Sequence, residues 1–357
     1  MSDKYIPINK GNYSMDTEDR ERAFDQKRGA GWDDEYAKYR ENWSNYPKKQ
    51  IVSDYPLLVD IELSSLCNLK CPMCYTITEE FKKKVNTTRM EWKLYKKIID
   101  EVAGKVVAIR LSLRGEPSLH KNFIEAVSYA KNSGIKEVSV LTHGGKLNPI
   151  YFEKLVKAGI DWITISIDGL DHVYERVRKP LKFNSLLENI RKINEYKTRN
   201  NLKKPVIKIQ GVWPAITESG VEKYYNTFSP YVDLVAFNPL IDYLSKDTQI
   251  EYLENFACPQ QYQRLVIGAD GLVMKCSNDE ENTEILGDIN QNTVHEIWHG
   301  DKMKQIRKLQ MEPRGFMESS VCRKCYLPRK TLEEEGIVGE RTFKVKNYVH
   351  RIQLIGG

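Results

Sequence analysis

"SSLCNLKCPMCYT", residues 64–76, places Cys67, Cys71 and Cys74 within eight residues at the spacing C-x3-C-x2-C. Three is an awkward number of thiols. A closed zinc site takes four ligands, and disulfides take cysteines in pairs. A [4Fe–4S] cluster prefers thiolates and has four irons to ligate. Three cysteines would leave one iron open to a small molecule that chelates through its amino and carboxylate groups. A zinc knuckle that borrows a later residue is the competing reading of the same spacing.

The remaining cysteines are Cys258, Cys276, Cys322 and Cys325, with none between 75 and 257. No stretch approaches the roughly 18 apolar residues of a spanning helix. The first residues, "MSDKYIPINKGNYSMDTEDRER", lack the apolar segment of a signal peptide. The expectation is a cytoplasmic protein without a membrane partner, in which seven cysteines serve as ligands rather than disulfides. The net charge of +6 is mild over 357 residues. It fits an acidic or phosphorylated small substrate and gives no basis for nucleic-acid binding.

Around the triplet the chain alternates strand and helix patterns. Strand candidates are 56–63, 105–113, 137–143, 162–168, 205–213 and 232–240. Amphipathic helix patterns lie between them at 91–103, 122–134, 149–159 and 183–197. Alternating strands and helices imply parallel βαβ units. The expected fold class is therefore α/β, a partial (β/α)6 barrel, in which active groups collect at the C-terminal ends of the strands. The cysteines, Gly115-Glu116-Pro117, Thr142, Ser166 and Asp168 all sit at such ends. Residues 1–55 read as a partly helical extension, 56–245 as the barrel, 246–345 as a small C-terminal metal-binding domain and 346–357 as a tail. In that C-terminal part, 262–277 reads as a hairpin around Asp270-Gly271, and 293–310 as one helix.

Taken in order, these motifs resemble the radical S-adenosylmethionine (SAM) superfamily. Cys67-x3-Cys71-x2-Cys74 is followed by the aromatic Tyr75, and "LRGEPSLH" (113–120) resembles the family's Gly-Gly-Glu-Pro segment, with Arg114 in place of its first glycine. The resemblance implies that the triplet holds a SAM-binding [4Fe–4S] cluster, and that Tyr75, Gly115, Glu116, Pro117, Ser166, Asp168 and Arg178 contact SAM. It also implies reductive cleavage of SAM to a 5′-deoxyadenosyl radical that abstracts a substrate hydrogen, with electrons from a reductant such as flavodoxin or ferredoxin. His143, in "LTHGG", stands where many relatives have Asn.

Cys258-x12-Gly271-x4-Cys276 resembles the opening of the SPASM extension, but only Cys322-x2-Cys325 follows it. That departure implies the shorter twitch type, with one auxiliary [4Fe–4S] cluster on Cys258, Cys276, Cys322 and Cys325. A four-cysteine zinc site fits the same spacing. Three thiols and four account for all seven cysteines. None remains as the free hydrogen donor that some radical epimerases use.

A fully ligated auxiliary cluster suits removal of an electron from a substrate radical. The expected function is dehydrogenation of a small polar, sugar-like alcohol. The alternative is a peptide-modifying enzyme that forms a carbon–carbon or carbon–sulfur crosslink or epimerises a residue. A cluster- or zinc-binding protein without catalysis is the third reading. Residues 1–55 read as too short and too polar for a leader-peptide module, which lowers the peptide alternative. Oxidising an alcohol also needs a proton acceptor. Glu62, Asp242 and His143 are conceivable by strand-end position, and the sequence does not distinguish them.

Overall fold

The computed structural model describes residues 13–240 and 249–349. The expected boundary at 245, Asp242 and most of the tail fall outside these residues.

All six barrel strands form. They are β2 (Leu58–Ile61), β3 (Ala108–Arg110), β4 (Glu137–Thr142), β5 (Trp162–Ser166), β6 (Val206–Val212) and β7 (Leu234–Asn238). Each pairs in parallel with the next. Period-2 alternation sorts their side chains. Val59, Ile61, Ile109, Val138, Val140, Ile163, Ile165, Ile207, Ile209, Val235 and Phe237 join the main apolar core under the helices. The opposite face turns Arg110, Ser139, Thr164, Lys208, Gln210 and Asn238 into the barrel lumen.

The covering helices are Trp92–Val102, Phe123–Asn132, Pro149–Ala158 and Phe183–Arg199. The first buries Leu94, Tyr95, Ile98, Ile99 and Val102, one stripe at helical spacing. The chain turns left-handed at Gly134 (φ +94°) after the second and at Gly159 (φ +88°) after the third, as their C-terminal positions predict.

The C-terminal hairpin is continuous with the barrel sheet. Strand β8 (Arg264–Ile267) pairs in parallel with β2, and β9 (Leu272–Met274) and β10 (Ile285–Asp288) follow antiparallel. A two-residue strand, β1 (Tyr13–Ser14), lies antiparallel on β7 at the other edge. The order is β1-β7-β6-β5-β4-β3-β2-β8-β9-β10. Both outer barrel strands are thus covered, which removes their exposed backbone edges. The segment expected as one helix at 293–310 is two, Val294–Trp298 and Asp301–Met311, separated at Gly300. A further hairpin, β11 (Thr331–Val338) and β12 (Arg341–Tyr348), runs past the expected end of the domain at 345.

The N-terminal extension closes the barrel floor. Helices α1 (Glu18–Gly29) and α2 (Asp33–Lys49) meet the first residues of the strands. Trp32, Tyr36, Tyr39 and Trp43 pack with Leu58 and Ala108, and Phe24 packs with Val206 and Leu234. Arg28 makes a two-pronged ion pair with Glu137, Nε to Oε2 and Nη2 to Oε1, both 2.9 Å, and lies 4.3 Å over the Trp162 ring. Both ion-pair partners are buried. Replacing Arg28 with Met should strand the Glu137 carboxylate, at a cost of about 3–5 kcal/mol. A sharp fall in Tm measures it; an unchanged melt would refute the plug.

Candidate functional site

The cysteine loop leaves β2 and is pinned at once. Ser65 N–H donates to Thr88 O at 3.0 Å, and Met90 N–H donates to Leu63 O at 2.9 Å. The chain after β3 crosses directly under the loop, where Glu116 N–H donates to Leu66 O at 2.9 Å. A Cβ at residue 115 would lie 2.4 Å from Ser64 O and 2.6 Å from Leu66 O, so only glycine fits there. Cys71 is buried, Cys74 half-buried and Cys67 exposed. Burial pushes the Cys71 thiol up to about 12 against the pull of Arg178, and Asp168, Cys74 and Cys67 add to the rise.

Glu116 is held by three donors: Thr142 Oγ1 (2.7 Å) and Ser118 N–H (3.1 Å) to Oε1, and His143 N–H (2.9 Å) to Oε2. Pro117 opens the short 3-10 turn that follows. Arg178 Nε and Nη2 both donate to Asp168 Oδ2, at 2.8 and 2.6 Å, while Asp168 Oδ1 accepts from Val212 N–H at 2.9 Å. Ser166 ends β5 half-buried beside Gln210. Glu116 and Arg178 both lie within electrostatic reach of Cys67. The Tyr75 ring meets Phe81 edge-on at 5.6 Å, and its hydroxyl bonds to Glu281.

Two conceivable bases are engaged in holding the fold. His143 Nδ1 accepts from Gly145 N–H at 2.9 Å, which leaves Nε2–H to donate to Asn68 Oδ1 at 2.9 Å. It is a buried tether between β4 and the cysteine loop, and burial lowers its pKa. Glu62 is fully buried against Arg114, which donates Nε to Oε1 at 2.8 Å and Nη2 to Oε2 at 2.6 Å. The same guanidinium reaches Asn282 Oδ1 at 2.7 Å and Glu280 O at 3.3 Å. Arg114, legible in the sequence only as a departure from a glycine, links the two cysteine regions.

The second thiol group assembles around two amides that the sequence does not mark. Asn278 donates Nδ2 to Cys325 Sγ at 2.9 Å and its N–H to Cys276 Sγ at 3.4 Å. Gln310 Oε1 accepts from Cys258 N–H at 3.1 Å, and its Nε2 approaches Cys322 Sγ at 3.8 Å. Phe256 and Phe316 pack against Cys258 and Cys322. Amide donors to sulfur are one way in which proteins tune iron–sulfur clusters.

A cavity of about 450 Å³ occupies the lumen and reaches Ser277, Asn278 and Tyr326, next to Cys276 and Cys325. Its floor is Arg28, Glu137 and Trp162, its walls include Ser112, Thr164, Lys208 and Gln210, and its upper end is Asn278, Glu280 and Tyr326.

The family profile described as "Radical SAM superfamily" matches residues 61–223, and "Iron-sulfur cluster-binding domain" (SPASM) matches 258–326. The chain thus carries a radical SAM domain followed by a SPASM-type iron–sulfur domain. This radical SAM enzyme takes SAM with one [4Fe–4S] cluster and an auxiliary [4Fe–4S] cluster in the SPASM-type region. It is 23% identical over 275 residues to the S-adenosyl-L-methionine-dependent 2-deoxy-scyllo-inosamine dehydrogenase of Niallia circulans, covering 75% of this chain and 92% of that one. It is 28% identical to the Fe-coproporphyrin III synthase of Methanosarcina barkeri (strain Fusaro / DSM 804), over 36% of this chain and only 31% of that protein. Among solved structures, BtrN in complex with AdoMet and 2-DOIA matches with a TM-score of 0.53 at 16% identity, over 77% of this chain and 94% of that one. SuiB of Streptococcus suis bound to precursor peptide SuiA matches with 0.58 at 14%, over 81% of each. At these identities the structures support the fold alone. Among the described residues, no helix is long and apolar enough to cross a membrane.

Lys208 gives the radical SAM lumen a pH-dependent feature. Burial pulls its ammonium down to about 7, assisted by Arg28 and Arg110. The unfolded side chain titrates near 10.4. Between roughly pH 7 and 10 the unfolded chain therefore binds the proton and the folded chain does not, so stability from this group grows with pH. Replacing Lys208 with Met should raise Tm most at pH 7 and below, and the gain should shrink towards pH 10. A gain that is flat with pH would contradict this.

Proposed function

We propose that this radical SAM enzyme oxidises an alcohol carbon of a small, polar, sugar-like molecule. The observation that carries the reading is the lumen cavity. Its volume of about 450 Å³ lies within the roughly 300–1,000 Å³ of small-molecule sites. Its lining is about half polar, with Ser112, Thr164, Lys208 and Gln210 among the polar groups; it is closed below by α1 and α2 and ends above at Asn278, which also bonds Cys276 and Cys325. A substrate there lies beside the loop that carries Cys276 and Asn278. The dehydrogenase relative, matched over 92% of its length, supports the same chemistry.

In this reading Cys67, Cys71 and Cys74 hold the SAM-binding cluster, and Cys258, Cys276, Cys322 and Cys325 the auxiliary one. Glu116 faces the amino group of SAM, and Arg178, oriented by Asp168, faces its carboxylate. Gly115, Pro117, Ser166 and Tyr75 shape the surroundings. The bound groups supply a hydrogen-atom acceptor and a one-electron acceptor. The protein must still remove the hydroxyl proton, so that loss of one hydrogen atom, one proton and one electron leaves a carbonyl. Of the carboxylates lining the cavity, Glu21, Asp25 and Glu137 lie towards the floor, whereas Glu280 lies at the upper end. Glu280 is assigned as the proton acceptor.

Anaerobic assay with SAM, reductant and a panel of polyols, aminocyclitols and sugar phosphates tests the reaction. The expected product is two hydrogens lighter than the substrate; a crosslinked or epimerised peptide as the only product would overturn the assignment. Replacing Glu280 with Gln should keep formation of 5′-deoxyadenosine and lower turnover on the order of 100-fold or more. Turnover within a few-fold of wild type would remove Glu280 from the mechanism. Replacing Cys71 with Ala should abolish SAM cleavage, whereas replacing Cys276 with Ala should spare some cleavage and impair oxidation. Equal loss of cleavage in both variants would contradict the division of labour.

A further inference from the structure

Away from both thiol groups, three metal-ligating side chains converge on the surface. His295 lies on the helix Val294–Trp298, and His299 is its C-terminal cap. Residues at this i, i+4 spacing share one helix face, and their ring centroids are 4.5 Å apart. Both Nε2 atoms aim at one residue of the segment entering β2: His295 at Asp54 Oδ1, 3.0 Å away, and His299 at Asp54 O, 2.9 Å away. One ligand atom from each of Asp54, His295 and His299 lies within 4.8 Å of the others, and they are the only such trio among the described residues.

We infer that Asp54, His295 and His299 form a site for a divalent transition metal, zinc by donor type, which staples the segment before the cysteine-bearing strand to the auxiliary-cluster region. Two imidazoles and one carboxylate form a donor set that suits zinc and disfavours calcium or magnesium. Bonds of about 2.0–2.1 Å in a tetrahedron put ligand atoms about 3.3 Å apart. The His295–Asp54 separation is already close to that, and the remaining edges close by rotation of side chains that are part-exposed. Water completes the fourth position.

The backbone carrying these ligands is fixed beforehand. A capping box between Thr293 and Glu296 starts the helix, and the Glu101 carboxylate accepts from Val294 and His295 N–H at 2.9 and 3.0 Å. Trp298 Nε1 donates to Ser53 O at 2.8 Å, which holds the Asp54 segment against the helix. Tyr55 packs on the outer side of His295, centroids 5.2 Å apart, with Lys105 over its ring at 4.9 Å. Because the ligands come from segments far apart in the chain, a bound ion favours the folded arrangement by mass action.

The test uses the enzyme with both clusters loaded, so that the cysteines are occupied. Equilibrium dialysis against zinc chloride, with metal counted by mass spectrometry, should show one zinc per chain at micromolar free metal in wild type. The H295A/H299A variant should bind at least 10-fold more weakly and D54N should lie between, while iron content and zinc-free Tm stay those of wild type. Zinc should raise the Tm of wild type and not of the double variant. Absence of binding at 100 µM zinc, or equal binding by H295A/H299A, would overturn the site.

Discussion

The Glu62 carboxylate accepts four hydrogen bonds where it cannot meet water: three from Arg114, through its backbone N–H, Nε and Nη2, and one from Ala269 N–H. Burying a charge is tolerated only when it is paired and saturated in this way. Much of the site geometry depends on that junction. Glu62 follows β2 and leads directly into the cysteine loop, Arg114 precedes the glycine that passes under that loop, and Ala269 belongs to the hairpin that brings in Cys276. The guanidinium then extends to Asn282 and the Glu280 carbonyl. One ion pair therefore sets the relative positions of the triplet, the segment beneath it and the loop that roofs the cavity. Breaking it leaves a carboxylate or a guanidinium buried without its counter-charge, so the junction behaves as one unit.

The lumen follows a related logic. The outward faces of the strands supply the apolar burial that stabilises the barrel, which leaves the inward faces free to be polar. Asp60 bonds both Arg110 and Arg264, and Arg28 bonds Glu137. These pairs fill the lower lumen with oriented charge and give a small molecule donors and acceptors above. The aromatic row of α1 and α2 excludes water from the floor, which strengthens electrostatic interactions inside. The N-terminal extension, expected from the sequence only as partly helical, thus shapes the depth of the cavity.

The six strands and the helices between them were legible because each carries its own periodicity and the helices their own stop signals. The seven thiols stand out in the sequence because their residue type and spacing mark them as candidate cluster ligands. The side chain of Tyr75, next to Cys74, meets Phe81 and Glu281, partners that the motif alone does not name. His143 and Glu62 look like candidate bases by position and prove to be tethers, because a strand-end position does not reveal a hydrogen-bond partner contributed from another segment. Glu280, Asn278 and Gln310 carry no local signal, since their significance comes from what the fold places beside them.

By itself, then, the sequence determined an α/β chain with three thiols after its first barrel strand and four in its C-terminal part, and with those the radical SAM chemistry. Periodicity and ligand spacing are local properties, fixed within a few residues. The tertiary structure decided that β8 extends the barrel sheet at β2, that the N-terminal helices seal the floor, that Arg114 joins the two cysteine regions, and that Asp54 meets a histidine pair from a distant helix. Each of these depends on side chains separated by many residues reaching hydrogen-bond or van der Waals distance, which chain closure and packing determine and local pattern does not.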